Sequence, residues 1–202
     1  MTSKRHSTTR LAPNRVDDDR LLDAARESVL SVGVRRTTLA EVARLAEVSR
    51  MTLYRRFPDV RSLLAELMTR QFGALLGREA QRVEHLPTAR RRLIEGAIGS
   101  IRALAEDPVM HAVLDLDGEV LMPYVVQRSG RVQRLADQFL AAQVVDGHTD
   151  GSIRAGEAST QARMLRMMLQ SFVLSLRTSP DDVPVDALLA ELDRTLEAGL
   201  AP

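Results

Sequence analysis

The stretch RRTTLAEVARLAEVSRMTLYRRF, from Arg35 to Phe57, decides the fold of the first part of the chain. It predicts two short helices joined by a tight turn. Thr38 and Glu41 form a capping box at the start of the first helix, in which each side chain can bond the other residue's backbone N–H. Ser49 is suited to cap the second helix, and Pro58 stops it.

The second of these helices has an apolar side and a basic side. Leu53 and Phe57 lie four residues apart and are predicted to point inward. A basic, partly aromatic helix after a short helix and a turn is typical of proteins that place a helix in the major groove of DNA. Arginines on an ordinary solvated surface are the alternative interpretation. The outward residues are Arg50, Met51, Thr52, Tyr54, Arg55 and Arg56.

These outward residues suit different parts of a DNA duplex. Arg50 lies early in the helix, where a side chain can reach base edges, and Met51 can contact a thymine methyl group. The hydroxyls of Tyr54 and Thr38 and the guanidinium of Arg55 are suited to phosphate oxygens, which set register rather than sequence choice.

Another helix is predicted before this pair, opening near Asp17–Asp19, where carboxylates suit a helix N-terminus. Gly33 ends it. Residues 17–64 therefore form a predicted three-helix DNA-binding domain. The apolar face of its first helix consists of Leu22, Ala25, Val29 and Val32.

Charge is divided unevenly along the chain. Residues 1–64 carry 13 Lys and Arg against eight Asp and Glu, and the remainder carries 15 against 19. A basic first part on an acidic body indicates that the first part meets a polyanion. Residues 1–16 are a predicted flexible arm, rich in Ser, Thr and basic residues, which either follows the minor groove or is an inert tail.

Composition excludes several function classes. The 202 residues include no cysteine, which excludes disulfides, thiolate zinc sites and cysteine nucleophiles and fits a reducing cytoplasm. We expect a cytoplasmic protein, because the start has no secretory signal and no apolar run is long enough to span a bilayer. The sequence has no Gly-rich phosphate loop, G-x-S-x-G or H-E-x-x-H, and its four histidines are scattered. We therefore expect neither an enzyme nor a cofactor.

One segment comes close to a calcium-binding loop. Asp146, Asp150, Gly151 and Glu157 follow the spacing of that pattern. However, His148 stands where a hard cation wants oxygen, and Arg154 would repel the ion from the ninth position. A polar connection between two helices explains the same residues, so we predict no metal site.

The rest of the chain, residues 65–202, predicts an all-helical body. Apolar residues recur at helical spacing and no convincing strand is found. Long helices are predicted over Leu63–Leu76, Leu93–Leu104, Pro123–Val145, Ser159–Arg177 and Val185–Gly199. A short helix is predicted after Asp107-Pro108, and Asp115–Gly118 interrupts or ends it.

The last two helices are unusually apolar. Residues Met164 to Leu176, MLRMMLQSFVLSL, have too many large apolar residues for a helix with one wet face. A small body cannot hide such a face alone, and the reading of palindromic DNA requires two-fold symmetry. We therefore predict a homodimer joined through these two helices, with an internal core as the alternative.

The Arg35–Phe57 stretch and its surroundings resemble the DNA-binding domain of the TetR family of bacterial transcriptional regulators, and the order of helices in the body resembles that family's ligand-binding and dimerisation domain. The resemblance implies about nine helices, with the second helix of the pair in the major groove. The matching residues are Gly33, Thr37, Thr38, the Leu39-to-Ala46 helix, Val48, Ser49, Thr52, Leu53, Tyr54, Phe57, Pro58, Leu63 and Leu64.

Three positions depart from the family's common pattern. Glu47 stands where glycine is common in the turn, Arg56 where histidine is common, and Val60 where lysine is common. Arg61 next to Val60 can supply the phosphate contact instead. The predicted DNA-binding residues are therefore Arg36, Thr38, Ser49, Arg50, Met51, Thr52, Tyr54, Arg55, Arg56 and Arg61.

The resemblance also implies a small-molecule effector bound in the body. Apolar and sulfur-containing side chains with one histidine and one tyrosine could line its pocket, although the same residues would serve as plain core. The predicted lining is Met110, His111, Leu114, Leu121, Tyr124, Phe139, Met168 and Phe172.

These observations predict a homodimeric repressor of transcription, released from a palindromic operator when the effector changes the spacing of its two DNA-binding domains. The alternative is a helical interaction or scaffold protein that has the same fold and does not read DNA specifically.

Overall fold

The computed structural model describes residues 13–114, 131–176 and 183–202. Over these ranges the chain forms nine α-helices, one 3-10 turn at Val34–Arg36 and no strand, so the predicted all-α class and helix number are confirmed. The helices are α1 (Pro13–Val32), α2 (Leu39–Leu45), α3 (Arg50–Arg56), α4 (Val60–Val83), α5 (Ala89–Glu106), α6 (Pro108–Leu114), α7 (Arg131–Thr149), α8 (Ala158–Leu176) and α9 (Val185–Leu200).

Several helices differ from their predicted extents. Helix α4 runs over Val60–Val83, beyond the predicted Leu63–Leu76. Helix α1 begins at Pro13 rather than near Asp17–Asp19, because proline lacks an N–H and its fixed φ suits the first turn of a helix. The end of the predicted arm is thus helical, and residues 1–12 lie outside the described residues. Helix α7 continues to Thr149, beyond the predicted end at Val145. The predicted start of this helix and the interruption predicted at residues 115–118 lie outside the described residues.

The chain divides into two compact units after Leu67, close to the predicted boundary at residue 64. The first unit is built on the apolar faces of α1, α2 and α3 together with the first turns of α4. Its buried side chains include Leu21, Leu22, Ala25, Val29, Val42, Leu53, Phe57, Leu63 and Leu67.

The core of the second unit lies between α5, α7, α8 and α9. All four leucines on the inner face of α9 are buried within this chain, so the body hides more of its apolar surface than its sequence suggests. The core consists of Leu93, Ile94, Ile101, Leu140, Val144, Ile153, Ala162, Leu165, Leu189, Leu192, Leu196 and Leu200.

A group of charged residues also fastens α9 to α5. The Arg91 guanidinium donates to Asp193 and Glu197, both at 3.1 Å, and to Glu95 at 2.6 Å. Arg90 adds a contact to Glu197 at 3.0 Å. These side chains are partly exposed, so each pair stabilises the fold by at most about 1 kcal/mol, and their main effect is to fix the orientation of α9.

The segment that resembles a calcium loop uses its carboxylates to cap helices. The Asp150 carboxylate accepts from the Ala89 N–H at 2.7 Å, at the start of α5, and from the Ser152 N–H at 2.9 Å. The Glu157 carboxylate precedes α8 and accepts from the Ser159 N–H at 3.1 Å and the Thr160 N–H at 2.6 Å. These helix termini account for Asp150 and Glu157, two of the three acidic residues in the calcium-loop pattern.

The Glu157 cap predicts a pH-dependent stability. Hydrogen bonds from the side chains and N–H groups of Ser159 and Thr160 lower the pKa of Glu157 to about 2. Because the pKa is lower in the folded than in the unfolded chain, this stabilisation is complete above about pH 5 and is lost as the pH falls towards about 2. We expect the melting temperature of Glu157→Gln to lie below that of the parent at pH 7 and to approach it at pH 3.

The control for this series is Glu84→Gln. Glu84 is exposed, and its carboxylate has no hydrogen-bond partner among the described residues. The melting temperature of the Glu84 variant should change with pH in the same way as that of the parent. If the melting temperatures of the Glu157 variant and the parent changed equally with pH, the capping role would be contradicted.

Candidate nucleic-acid interface

The helix pair predicted from the sequence is present in the first unit. The Thr38 hydroxyl caps α2 by accepting from the Glu41 N–H at 3.2 Å. The other half of the predicted capping box is absent, because the Glu41 carboxylate instead receives two hydrogen bonds from Arg44, at 2.7 and 3.0 Å. The Ser49 hydroxyl caps α3 by accepting from the Thr52 N–H at 3.1 Å.

The turn between the two helices carries backbone strain. Glu47 has φ 51°, a left-handed conformation that side chains with a Cβ rarely adopt. The Val48 N–H closes the turn on the Ala43 carbonyl at 3.0 Å. Glu47 also forms an ion pair with Arg20 of α1, which partly offsets the strain. The family's glycine would fit this φ without cost.

Replacing Glu47 separates these two effects. We expect Glu47→Gly to be more stable than Glu47→Ala by about 1 kcal/mol, because both variants lose the ion pair and only glycine relieves the left-handed backbone. The Arg20 pair is exposed and contributes at most about 1 kcal/mol, so Glu47→Gly should equal or exceed the parent. Urea unfolding of the three proteins measures the difference. An alanine variant as stable as the glycine variant would contradict the strain.

Helix α3 is anchored on one side and open on the other. Leu53 is fully buried and Phe57 is 3% exposed, as predicted for its inner face. Met51 is 76% exposed and Tyr54 is 50% exposed, which is unusual for large side chains with apolar surface. The helix is thus held rigidly while it presents Met51 and Tyr54 to the outside.

The arginines of the predicted interface fall into two groups. Arg50 and Arg55 are exposed and have no hydrogen bond or ion pair within the described part of the chain. Arg56, in contrast, donates two hydrogen bonds to the Asp18 carboxylate, at 2.8 and 2.9 Å. Arg36 donates to the Val32 carbonyl at 2.8 Å, at the end of α1.

The pairing of Arg56 fastens the end of α3 to α1. Hydrogen bonds from Arg56 lower the pKa of the Asp18 carboxyl, and the guanidinium also lies 5.1 Å from the centre of the Phe57 ring. Arg56 is exposed, as predicted for the outer face, but its guanidinium is engaged by Asp18 instead of being open like those of Arg50 and Arg55. The ion pair joins residues 38 positions apart, so no local pattern in the sequence indicated it.

The hydroxyl groups of the predicted interface are partly used as caps. The Ser49 and Thr52 hydroxyls lie 2.8 Å apart, so one donates to the other. Thr38 uses its oxygen as an acceptor and keeps its O–H as a donor. Arg61 is exposed at the start of α4, beside Asp59, whose carboxylate accepts from the Ser62 N–H at 2.7 Å.

The body contains a separate cavity of about 230 Å³. Of the eight residues predicted to line a pocket, the structure places His111 on this cavity. Met168 and Phe172 instead pack against the core of the second unit, and Met110 and Phe139 are half-buried elsewhere. The cavity is lined by Ile101, Leu104, Ala105, His111, Val173, Leu176 and Val185.

Three residues of the predicted pocket cannot be placed on the cavity. Leu121 and Tyr124 lie outside the described residues, and so does the side chain of Leu114. The described residues contain no group of three or more His, Asp or Glu that could hold a metal ion. Within the same ranges, no helix has the length and apolar character needed to cross a membrane.

A capped helix pair with a basic, exposed second helix, on an all-helical chain, defines a DNA-binding regulator. Residues 21–67 match the family described as bacterial regulatory proteins, tetR family. An HTH-type transcriptional regulator of Mycobacterium bovis is 33% identical over 181 residues, which cover 90% of this chain and 93% of that protein. A regulator of Mycobacterium tuberculosis has the same identity and coverage. The chain belongs to the TetR family of bacterial transcriptional regulators.

Solved structures share the fold. A TetR-family transcriptional regulator from Pectobacterium atrosepticum superposes with a TM-score of 0.71 at 19% identity, covering 95% of this chain and 98% of that one. FadR from Bacillus subtilis, solved in complex with stearoyl-CoA, has a TM-score of 0.60 at 19% identity and covers 90% of this chain and 98% of that one.

Proposed function

We propose that this regulator is a cytoplasmic homodimeric repressor, which binds a palindromic operator through α3 of each subunit and is released by a small-molecule effector. The observation that carries the DNA-binding part is the outer face of α3. Arg50 and Arg55 are exposed cations that have no partner among the residues the structure describes, next to an exposed Met51. A free guanidinium loses no protein contact when it binds a base edge or a phosphate.

The proposed contacts divide into base reading and backbone positioning. Arg50 and Met51, in the first turn of α3, read base edges in the major groove. Arg55, Tyr54 and the Thr38 hydroxyl bind phosphates and set the register. Ser49 and Thr52 act mainly by capping α3, Arg36 and Arg61 add positive charge at the margin, and Arg56 orients the end of the helix through Asp18.

The dimer is proposed to form through the outer faces of α8 and α9. The core hides the leucines of α9, but Met164 and Met167 of α8 remain 59% and 56% exposed, one turn apart. The outward face of α9 includes the small residues Ala190 and Ala198 beside the charged Glu191 and Arg194. Small side chains on one helix and flexible methionines on the other suit the close packing of helices across a two-fold axis.

The effector is proposed from the body's cavity and from what related proteins bind. FadR was solved with stearoyl-CoA, and RolR, at a TM-score of 0.69 and 17% identity, with resorcinol. These ligands differ widely in size, so they support an effector site without naming this protein's effector. The effector must bind more tightly to the state that does not bind DNA. The ratio of its affinities for the two states limits how far it lowers the affinity for the operator.

The test is binding to the DNA upstream of the protein's own gene, measured over a range of salt concentrations. We expect the protein to bind a short palindrome at least about a thousandfold more tightly than random DNA of the same length. Both affinities should fall as the salt concentration rises. Equal affinity for both sequences would overturn specific reading and favour a helical scaffold protein. Operator binding that raises transcription from this promoter would overturn the repressor assignment.

A further inference from the structure

The cavity of the body has a floor and a mouth of different character. Ile101 and Leu104 of α5 are 3% and 7% exposed and form its floor. Ala105, His111 and Val185 are exposed, so the cavity opens to solvent on their side. A molecule in this cavity therefore places one end against buried apolar side chains and the other end at the mouth.

The chemistry of the lining restricts the charge of an occupant. Among the described residues that line the cavity, His111 is the only polar side chain, and none is Lys, Arg, Asp or Glu. A charged group on the apolar floor would lose its hydration without gaining an ionic partner. The lining thus favours an uncharged molecule whose one polar group lies near His111.

His111 is already oriented for such a contact. Its Nε2 bonds the Ala105 carbonyl near the end of α5, and a carbonyl oxygen only accepts, so Nε2 carries the proton. In the neutral ring the other nitrogen, Nδ1, is then left as an acceptor. An acceptor at the mouth of an apolar cavity matches a hydroxyl group, which donates.

The volume restricts the size of the occupant. A cavity of about 150 Å³ holds one benzene molecule, so one of about 230 Å³ has room for roughly one further ring. A long acyl chain with its coenzyme A group does not fit this volume. We propose that the cavity binds a compact, uncharged molecule of about two fused rings that carries one hydroxyl group, which donates to His111. The proposal rests on the proposed function in taking this molecule as the effector.

The experiment uses the full chain and four probes: 2-naphthol, naphthalene, 2-naphthoate and stearoyl-CoA. Binding to the protein alone is followed by calorimetry and by naphthol fluorescence, which the absence of tryptophan leaves unobscured. We expect 2-naphthol to bind about five- to tenfold more tightly than naphthalene and about a hundredfold more tightly than 2-naphthoate, with no binding of stearoyl-CoA. Binding of 2-naphthoate or stearoyl-CoA as tight as that of 2-naphthol would overturn the proposal.

Variants locate the site. Ala105→Phe fills the mouth from an exposed position, so it should fold normally and weaken 2-naphthol binding at least about tenfold. Ala142→Phe, at an exposed alanine of α7 that does not line the cavity, is its matched control and should bind as the parent does. His111→Phe should remove the preference for 2-naphthol over naphthalene. Unchanged binding by Ala105→Phe would overturn the location.

A second readout separates this inference from the proposed function. 2-naphthol should release the parent, but not Ala105→Phe, from operator DNA. If the operator binds and 2-naphthol binds nowhere, the cavity inference fails and the repressor proposal stands. If 2-naphthol binds in the cavity and the protein does not select an operator, the proposed function fails and the site stands.

Discussion

Arg55→Ala is expected to weaken binding to operator and random DNA by a similar factor, whereas Arg50→Ala is expected to weaken operator binding selectively. A phosphate contact is independent of sequence, so its loss lowers both affinities and reduces the salt slope by about one per contact. A base contact contributes about 1–3 kcal/mol of discrimination in each half-site, so its loss brings operator affinity closer to that of random DNA.

The structure supplies a matched control for the loss of charge. Arg44 is also an exposed arginine of the first unit, but both of its hydrogen bonds go to Glu41. Arg44→Ala removes the same positive charge from a residue that is already engaged, so it should change operator affinity only a few-fold. Competition binding at three salt concentrations measures affinity, discrimination and salt slope together.

Two outcomes would contradict the proposed interface. If neither Arg50→Ala nor Arg55→Ala weakens operator binding more than Arg44→Ala does, α3 is not the helix that enters the groove. If Arg50→Ala lowers both affinities equally, Arg50 contacts phosphate, and the bases are read from another position. Arg56→Ala should act through the position of α3, so its effect on operator binding should be accompanied by lower stability.

Local patterns predicted the helix pair well, because its determinants are close in sequence. Ser49 caps the helix that starts one residue later, and the burial of Leu53 and Phe57 follows from their spacing of four. The strain at Glu47, in contrast, was indicated only by the resemblance, because the family commonly has glycine in this turn and glycine is the residue that the observed φ favours.

The partners of these residues could not be predicted in the same way. The pairing of Arg56 with Asp18 depends on how α1 packs, and the two residues are far apart in sequence. The same holds for the capping of α5 by Asp150, which joins residues 61 positions apart. Spacing places a charge on a helix face, but only the tertiary packing decides whether another element supplies its counterion.

The cavity illustrates the same limit for apolar residues. Met168 and Phe172 have the composition of pocket lining, but they pack against the core cluster that includes Leu165 and Leu189. A periodic pattern identifies which residues turn inward, and it does not tell a filled interior from a hollow one. His111, a histidine beside apolar residues that the sequence analysis singled out, lies on the cavity, whereas nothing in the sequence pointed to Ala105.

The double variant Met164→Glu, Met167→Glu is expected to convert the protein to a monomer. Both methionines are more than half exposed in the single chain, and glutamate has nearly the same helix propensity as methionine, so the fold of each subunit should persist. Burying a methionine stabilises an association by about 1.5–3 kcal/mol. Across a two-fold axis the variant would instead bring four carboxylates together, with the cost of desolvation and like-charge repulsion.

Loss of the dimer should remove most operator affinity while affecting random DNA less. A dimer binds its second half-site at the effective concentration set by the first, which is worth about 10²–10⁴ in affinity. Val145→Glu is the matched control, because Val145 is an apolar residue of α7 with 50% exposure outside the proposed interface. Sedimentation velocity gives the oligomeric state and a gel shift gives the affinity. If the double variant stays dimeric, the interface does not lie on α8, whatever the oligomeric state of Val145→Glu. A monomeric double variant that keeps full operator affinity would mean that operator reading does not depend on the second subunit.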